Sequence, residues 1–195
     1  MRIRDENKIN SIREKAIEMI VGEGFDGLSM QKLAKAANVS PATIYIYFKN
    51  REDLLSQLYN HVQNTFSEVT LDGFSPELSF RDGLWLQWKN RFRFIQEHPL
   101  YFQFQEQFRN SPLINQCGVD ISDFKSNMKN FVINAVKRGD MKPMEPEVFW
   151  SIAYGTLYSL IKFHLNERSM MNNNFTLTDE KMKQAFEMVI KAFKH

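Results

Sequence analysis

Residues 29–51 read SMQKLAKAANVSPATIYIYFKNR, two short helical patterns around a tight turn with no acidic residue among them. In the first pattern Met30, Leu33, Ala34 and Ala37 fall on one face at helical spacing, and the small Ala34 leaves room for a second helix to cross closely. Asn38 supplies the turn, because asparagine tolerates the left-handed backbone that ends a helix in this way. Ser40 is a natural N-cap, and Pro41 suits the first helical position, where a missing N–H costs nothing. A second helix is therefore expected from Pro41, with Ile44 and Phe48 closing a small core against Leu33 and Val39. Ala42, Thr43, Tyr45, Ile46 and Tyr47 are then divided between packing and the outside. Lys32, Lys35, Lys49 and Arg51 add positive charge with no negative partner inside the stretch.

Two short helices and a few lysines also describe an ordinary solvated face. Such a face has little use for Thr43, Tyr45, Ile46 and Tyr47 together, whereas a helix in the major groove needs hydroxyls for phosphates and a methyl or aromatic edge for thymine. The expectation is a helix-turn-helix reader of DNA. The stretch resembles the tetracycline-repressor (TetR) family of bacterial transcription regulators, whose signature runs V-S-x-x-T-(I/L)-Y-x-Y-F and on to a charged residue before a Leu-rich helix. Here it reads Val39, Ser40, Pro41, Ala42, Thr43, Ile44, Tyr45, Ile46, Tyr47, Phe48, then Lys49, Asn50, Arg51, Glu52, Asp53, Leu54, Leu55. Asn38 and Ala42 depart from the glycines frequent at those positions; Ala42 lies at the DNA-facing start of the helix, so no relative's operator preference transfers. The helix from Pro41 is expected in the major groove, with Gln31 and Ile46 touching base edges and Thr43, Tyr47, Lys49 and Arg51 holding phosphates. Tyr45 is shared between packing and groove, and Ser29, Ser40, Pro41 and Ala42 complete the candidate DNA-binding set.

The 195 residues are 43% hydrophobic and 25% charged with a net charge of +2, ordinary for a folded chain and without a strongly basic coat. Cys117 is the single cysteine, which excludes an internal disulfide and a thiolate zinc cage. No apolar run nears membrane-spanning length, and the N-terminus, with Arg2, Arg4, Asp5, Glu6 and Lys8, lacks the apolar region of a signal peptide. A cytoplasmic protein is expected, with a DNA-binding domain over 1–52 and a ligand-binding and dimerisation domain over 53–195.

The whole chain reads as all-α: a three-helix head, a long connecting helix and a helical bundle. Ile9, Ile12, Ala16, Met19 and Ile20 form the face of a first helix that stops among the glycines of 22–27. Asn50 and Asp53 resemble an N-cap pair ahead of a helix carrying Leu54, Leu55, Leu58, Val62, Phe66 and Val69, which ends near Asp72 and Gly73. After Pro76 comes an apolar stripe of Leu84, Trp85, Trp88, Phe92 and Ile95, then Pro99, a short helix over 100–109, and helices around 121–137, 146–166 and 178–194.

Ten aromatic residues lie between Phe74 and Phe108, which is either plain core or the wall of a small-molecule site. The resemblance implies a pocket between helices of the C-terminal domain, and Trp88, Phe92, Tyr101, Phe104, Phe108, Phe131 and Tyr154 are the candidate wall. Phe94 points away from the stripe. Arg81 stands at the end of the stripe and Arg91 at its margin, where it is expected to snorkel outward, so the effector is expected to be apolar or aromatic.

The helix over 146–166 is apolar on two sides, with a narrow strip of Ser151, Gly155 and Ser159 between them. The last helix offers Met182, Ala185, Phe186, Val189 and Phe193. The resemblance implies that these two helices form a four-helix homodimer interface about a two-fold axis; an internal bundle is the alternative. His61, His98, His164 and His195 are scattered without metal-ligand spacing, and there is no phosphate loop, nucleophile elbow or CxxC pair. No enzyme, metal or cofactor is expected. The reading is a homodimeric repressor released from a palindromic double-stranded DNA operator by a small-molecule effector; the alternatives are a DNA-binding protein without effector and a protein-binding adaptor.

Overall fold

The computed structural model describes residues 6–116, 121–166, 170 and 174–193. Cys117, Lys194 and His195 lie outside the described residues. Among those described, all regular structure is helical: α1 Glu6–Glu23, α2 Met30–Ala36, α3 Pro41–Tyr47, α4 Arg51–Leu71, α5 Phe80–Glu97, α6 Pro99–Arg109, α7 Ser122–Lys137, α8 Pro146–Leu165 and α9 Asp179–Phe193. Short 3₁₀ turns at Phe25–Gly27 and Pro112–Gln116 were not legible in the hydrophobic pattern. The helices group into two compact units, one drawn from Met1–Glu68 and Phe94–Ile121, the other from Val69–Arg93 and Ser122–His195. This partition by packing differs from the expected functional division at residue 52, because α6 packs on α1.

The first unit is built on α1, whose Ile9, Ile12, Ala16, Ile17 and Ile20 are buried; Met19, expected on that face, is half-buried, and Ile17 takes its place. The Asn50 carboxamide oxygen accepts from Asp53 N–H at 2.8 Å and so caps α4 as the sequence suggested, while Asp53 Oδ2 accepts from Lys49 N–H, one residue before the cap, at 2.8 Å. Against α1, α6 sets Tyr101, whose hydroxyl donates to Glu14 Oε1 at 2.6 Å, and Gln107, which donates to the Val21 carbonyl at 3.2 Å. Phe108 stacks on Tyr59 of α4 at 4.3 Å and meets Phe25 edge-on at 5.5 Å. Phe94 does turn from the stripe, packing edge-on to Phe66 at 5.2 Å.

In the second unit the last carbonyls of α4 are satisfied by side chains of α5. Gln87 donates to the Thr70 carbonyl at 2.7 Å, Asn90 to that of Asp72 at 2.8 Å and Arg93 to that of Val69 at 3.2 Å. The core beside them is aromatic: Phe186 of α9 lies against both Trp85 and Trp88 of α5, and Phe80 against Phe131, Phe149 and Phe193. The Trp88 indole donates to the Ala153 carbonyl at 2.7 Å. Gly83 permits the close crossing of α5 and α7, since a Cβ there would lie 2.4 Å from Phe131 Cε2.

Arg91 overturns its expectation. It is fully buried instead of snorkelling, with its guanidinium 4.1 Å from the Tyr154 ring centre and near Trp150 and Phe124. The helical repeat explains this: Leu84, Trp88, Arg91 and Ile95 recur at four-, three- and four-residue steps, so Arg91 sits in the middle of the buried stripe.

Candidate DNA-reading surface

The surface is assembled from α2, the turn and α3. Ser29 caps α2 by accepting from Lys32 N–H, and Ser40 caps α3 by accepting from Thr43 N–H, each at 3.2 Å. Asn38 takes φ 53°, the left-handed conformation its side chain tolerates, and reverses the chain between the two helices. Leu33, Ala34, Ile44 and Phe48 are buried at the crossing, which fixes the remaining face of α3 outward.

That outward face carries Ala42, Tyr45 and Ile46. Tyr45 is 54% and Ile46 50% exposed, a large apolar area for a helix of seven residues. Pro41 and Ser40 at the start of α3, Gln31 on α2, Ser29 and Lys49 are exposed too. Thr43 is half-buried, its Oγ1 2.9 Å from Ser40 Oγ. Tyr47 departs from the group: it is 8% exposed, its ring tilted against Phe48, and its carbonyl accepts from Gln57 Nε2 at 3.3 Å.

Arg51 is the second residue whose setting differs from a bare phosphate contact. Its guanidinium donates to the Phe25 carbonyl at 2.6 Å and lies 3.4 Å from the Leu28 carbonyl, both in the segment joining α1 to α2. Lys32 pairs with Glu23 at 3.5 Å, an acidic partner from outside the 29–51 stretch. Lys35 and Lys49 remain as exposed positive charges flanking the α3 face. Pattern reading left Lys35 out of the candidate set, although its place four residues after Gln31 on the same short helix puts both on one side.

The candidate ligand wall is not brought together in one unit. Trp88, Phe92, Phe131 and Tyr154 belong to the second unit, whereas Tyr101, Phe104 and Phe108 belong to the first, and all are buried. Phe92 packs against the His164 ring at 5.6 Å. The expected dimer face divides as well. Ser151 and Ser159 are exposed and Gly155 half-buried, on the same side of α8 as the exposed Val148 and Phe163. Met182, Phe186, Val189 and Phe193 instead turn inward, Phe186 onto Trp85 and Phe193 onto Phe80 and Phe149. The apolar stripe of α9 is thus consumed by its own chain, and Met188, 62% exposed, is the large apolar side chain it leaves outside. No group of His, Cys, Asp and Glu that could hold a metal occurs among the described residues. None of the described helices is long and apolar enough to cross a membrane.

Known proteins share this arrangement. Residues 12–58 match the sequence profile of bacterial regulatory proteins of the tetR family, from within α1 through α2, the turn and α3 to the start of α4. A Haemophilus influenzae protein described as an uncharacterized HTH-type transcriptional regulator is 31% identical over 147 residues, 73% of this chain and 75% of its own. The fatty acid metabolism regulator protein of Bacillus subtilis is 31% identical over 157 residues, 77% of this chain and 79% of its own. A crystal structure of a TetR family transcription regulator from Marinobacter aquaeolei superposes with a TM-score of 0.78 at 30% identity, covering 99% of this chain and 98% of that one. With a capped, outward-facing α3 and similarity extending far beyond the helix-turn-helix, the chain belongs to the TetR family of bacterial transcription regulators, with a DNA-binding helix-turn-helix at its N-terminal end.

Proposed function

We propose that the protein is a cytoplasmic homodimeric repressor, in which α3 of each subunit enters the major groove at one half of a palindromic operator. The observation that carries the reading is the pair Tyr45 and Ile46, which stand half in solvent on a helix whose other side is fully packed. Ile46 and Gln31 meet base edges, Tyr45 reaches the groove wall, and Thr43 and Lys49 hold phosphates, with the Tyr47 hydroxyl at the margin of that set. Arg51 orients the reading head through its bonds to the loop after α1. Residues 1–52 supply the head, and 53–195 supply effector binding and pairing.

The effector is small and apolar or aromatic, held by aromatic side chains of 53–195, and its binding weakens the grip on DNA by favouring a second arrangement of the subunits. The name of the Bacillus subtilis relative is in keeping with an apolar effector. Pairing through the outward strip of α8, with Ser151, Gly155 and Ser159 letting a second backbone approach, sets the half-site spacing. The protein acts by binding and not by catalysis. Selection of bound duplexes from a random pool tests the core of this reading: enrichment of an inverted repeat is the expected result, and a pool left unenriched overturns it.

A further inference from the structure

The exposed side of α3 is apolar where it would meet base edges. Ala42, Tyr45 and Ile46 stand three and four residues apart on one side of the helix, exposed, while Ile44 and Tyr47 are buried behind them. The helix reads PATIYIY and holds no Arg, Lys, Asn, Gln, Asp or Glu. In the major groove guanine is read by a guanidinium or ammonium on O6 and N7, adenine by an amide on N6 and N7, and cytosine by a carboxylate on N4. None of these groups comes from α3. The Tyr45 hydroxyl, donor and acceptor alike, does not choose among such edges. The lone amide of α2 and α3 is Gln31, on α2. Nearby cations are directed elsewhere: Arg51 donates to the Phe25 carbonyl at 2.6 Å, and Lys32 pairs with Glu23 at 3.5 Å and lies 3.4 Å from the Gly27 carbonyl. Ser40 and Thr43 hold each other at 2.9 Å at the cap of α3.

One base-edge feature in that groove needs neither donor nor acceptor, the C5 methyl group of thymine. Covering it with an aliphatic side chain withdraws apolar surface from water on both partners, the one gain that a face of this composition can make at a base. Ile46 supplies a branched aliphatic side chain, and Ala42, one turn before it, a methyl group that lets the helix approach closely. We propose that Ile46, with Ala42, reads thymine C5 methyl groups, so that each operator half-site carries thymine beneath α3 and 5-methylcytosine is accepted there in its place. 5-Methylcytosine has the same methyl group at the same ring position and differs in the groove by an amino group where thymine has O4. That is an edge which α3 has no charged or amide side chain to test. The proposal rests on the operator reading above and adds to it the chemical feature that is read.

The test uses the full chain and the inverted repeat selected from a random pool, followed by fluorescence anisotropy at fixed salt. Thymines are replaced in symmetric pairs by uracil, which removes the methyl group and keeps every Watson–Crick hydrogen bond. Beneath α3 each replaced pair is expected to weaken binding about fifteenfold, about fourfold for each methyl group withdrawn from contact. At the same positions 5-methylcytosine, paired with guanine, is expected to bind better than cytosine by a like factor. Ile46→Ala, checked for folding by circular dichroism, is expected to reduce the uracil penalty at one symmetric pair, which is then the pair beneath Ile46. The wild-type series needs no variant and decides the methyl reading by itself. Four results overturn the methyl contact and leave the operator reading standing: a selected half-site without thymine, uracil bound as well as thymine throughout, 5-methylcytosine bound no better than cytosine, or a full uracil penalty at every position in folded Ile46→Ala. A pool left unenriched takes both readings down together.

Discussion

The Arg51 guanidinium donates to the Phe25 carbonyl at 2.6 Å, tying the first turn of α4 to the 3₁₀ turn that leaves α1. A charged donor on a loop carbonyl of this kind contributes to stability, so Arg51→Ala is expected to lower it by about 1–3 kcal/mol in thermal or urea unfolding. Lys49→Ala should leave the melting temperature alone and reduce the salt slope of DNA binding by about 0.9, one phosphate contact on duplex DNA. Fluorescence anisotropy over a salt series separates the two. A full slope change from Arg51→Ala with unaltered melting would return Arg51 to the phosphate set.

Ile46→Ala trims a half-exposed side chain on the outward face of α3. Its expected signature is weakened operator binding with melting unchanged, since surface substitutions of this kind usually move stability by under about 0.5 kcal/mol. Equal operator affinity for wild type and variant would place the base contacts elsewhere.

A Cβ at Gly155 would meet nothing within 4 Å outside its own stretch of helix, so a side chain can start there without an internal clash, and Gly155→Leu is checked for folding by circular dichroism. The variant should sediment as a monomer where the wild type sediments as a dimer, and should lose operator affinity while keeping nonspecific DNA binding. A wild-type monomer at micromolar concentration would sink the two-fold arrangement.

Burial, reinforced by the nearby Arg13, holds the His61 pKa below its usual value of 6.5. In the pH range between that usual value and the lowered folded one, the unfolded chain takes up a proton that the native state refuses, so stability falls as the pH drops from about 7 into that range. His61→Gln, which can still bond the Tyr101 hydroxyl that His61 Nε2 meets at 3.2 Å, should flatten this part of the melting-temperature profile. An unaltered profile would assign the acid sensitivity to other groups.

Gly83→Ala drives a methyl into Phe131, whose ring already lies against Phe74 at 5.2 Å and Phe80 at 5.8 Å and has little room to turn. Overpacking of this kind is expected to cost about 1–3 kcal/mol, read by urea unfolding.

Much of this was legible because it is written locally. Ser40 before Pro41 announces a helix start, Asn38 a left-handed turn, and the spacing of Leu33, Ile44 and Phe48 a crossing, so the reading head follows from a short stretch of chain. What could not be read was which apolar stripe meets which. The aromatics of 74–108 run without a break in the sequence, yet Phe92 packs on His164 and Phe94 on Phe66, since a two-residue step on a helix turns the side chain to the opposite side. On α9 the single apolar stripe was assigned to a partner subunit, whereas Trp85 and Phe80, far away in sequence, already cover Phe186 and Phe193. Arg51 illustrates the same limit, because a cation near candidate phosphate ligands looks alike whether its partner is a phosphate or the carbonyl of a distant loop.

The seat of α6 on α1 also bears on how such regulators can be recombined. Exchanging operator specificity by transplanting 1–52 would cut between Phe25 and the Phe108 ring that it meets edge-on and that stacks on Tyr59, and would strip Glu14 of the Tyr101 hydroxyl. A graft of that length asks foreign side chains to complete a mosaic they did not evolve with. Replacing only the outward positions of α2 and α3 leaves that mosaic whole, and the natural unit of exchange is therefore a surface and not a segment.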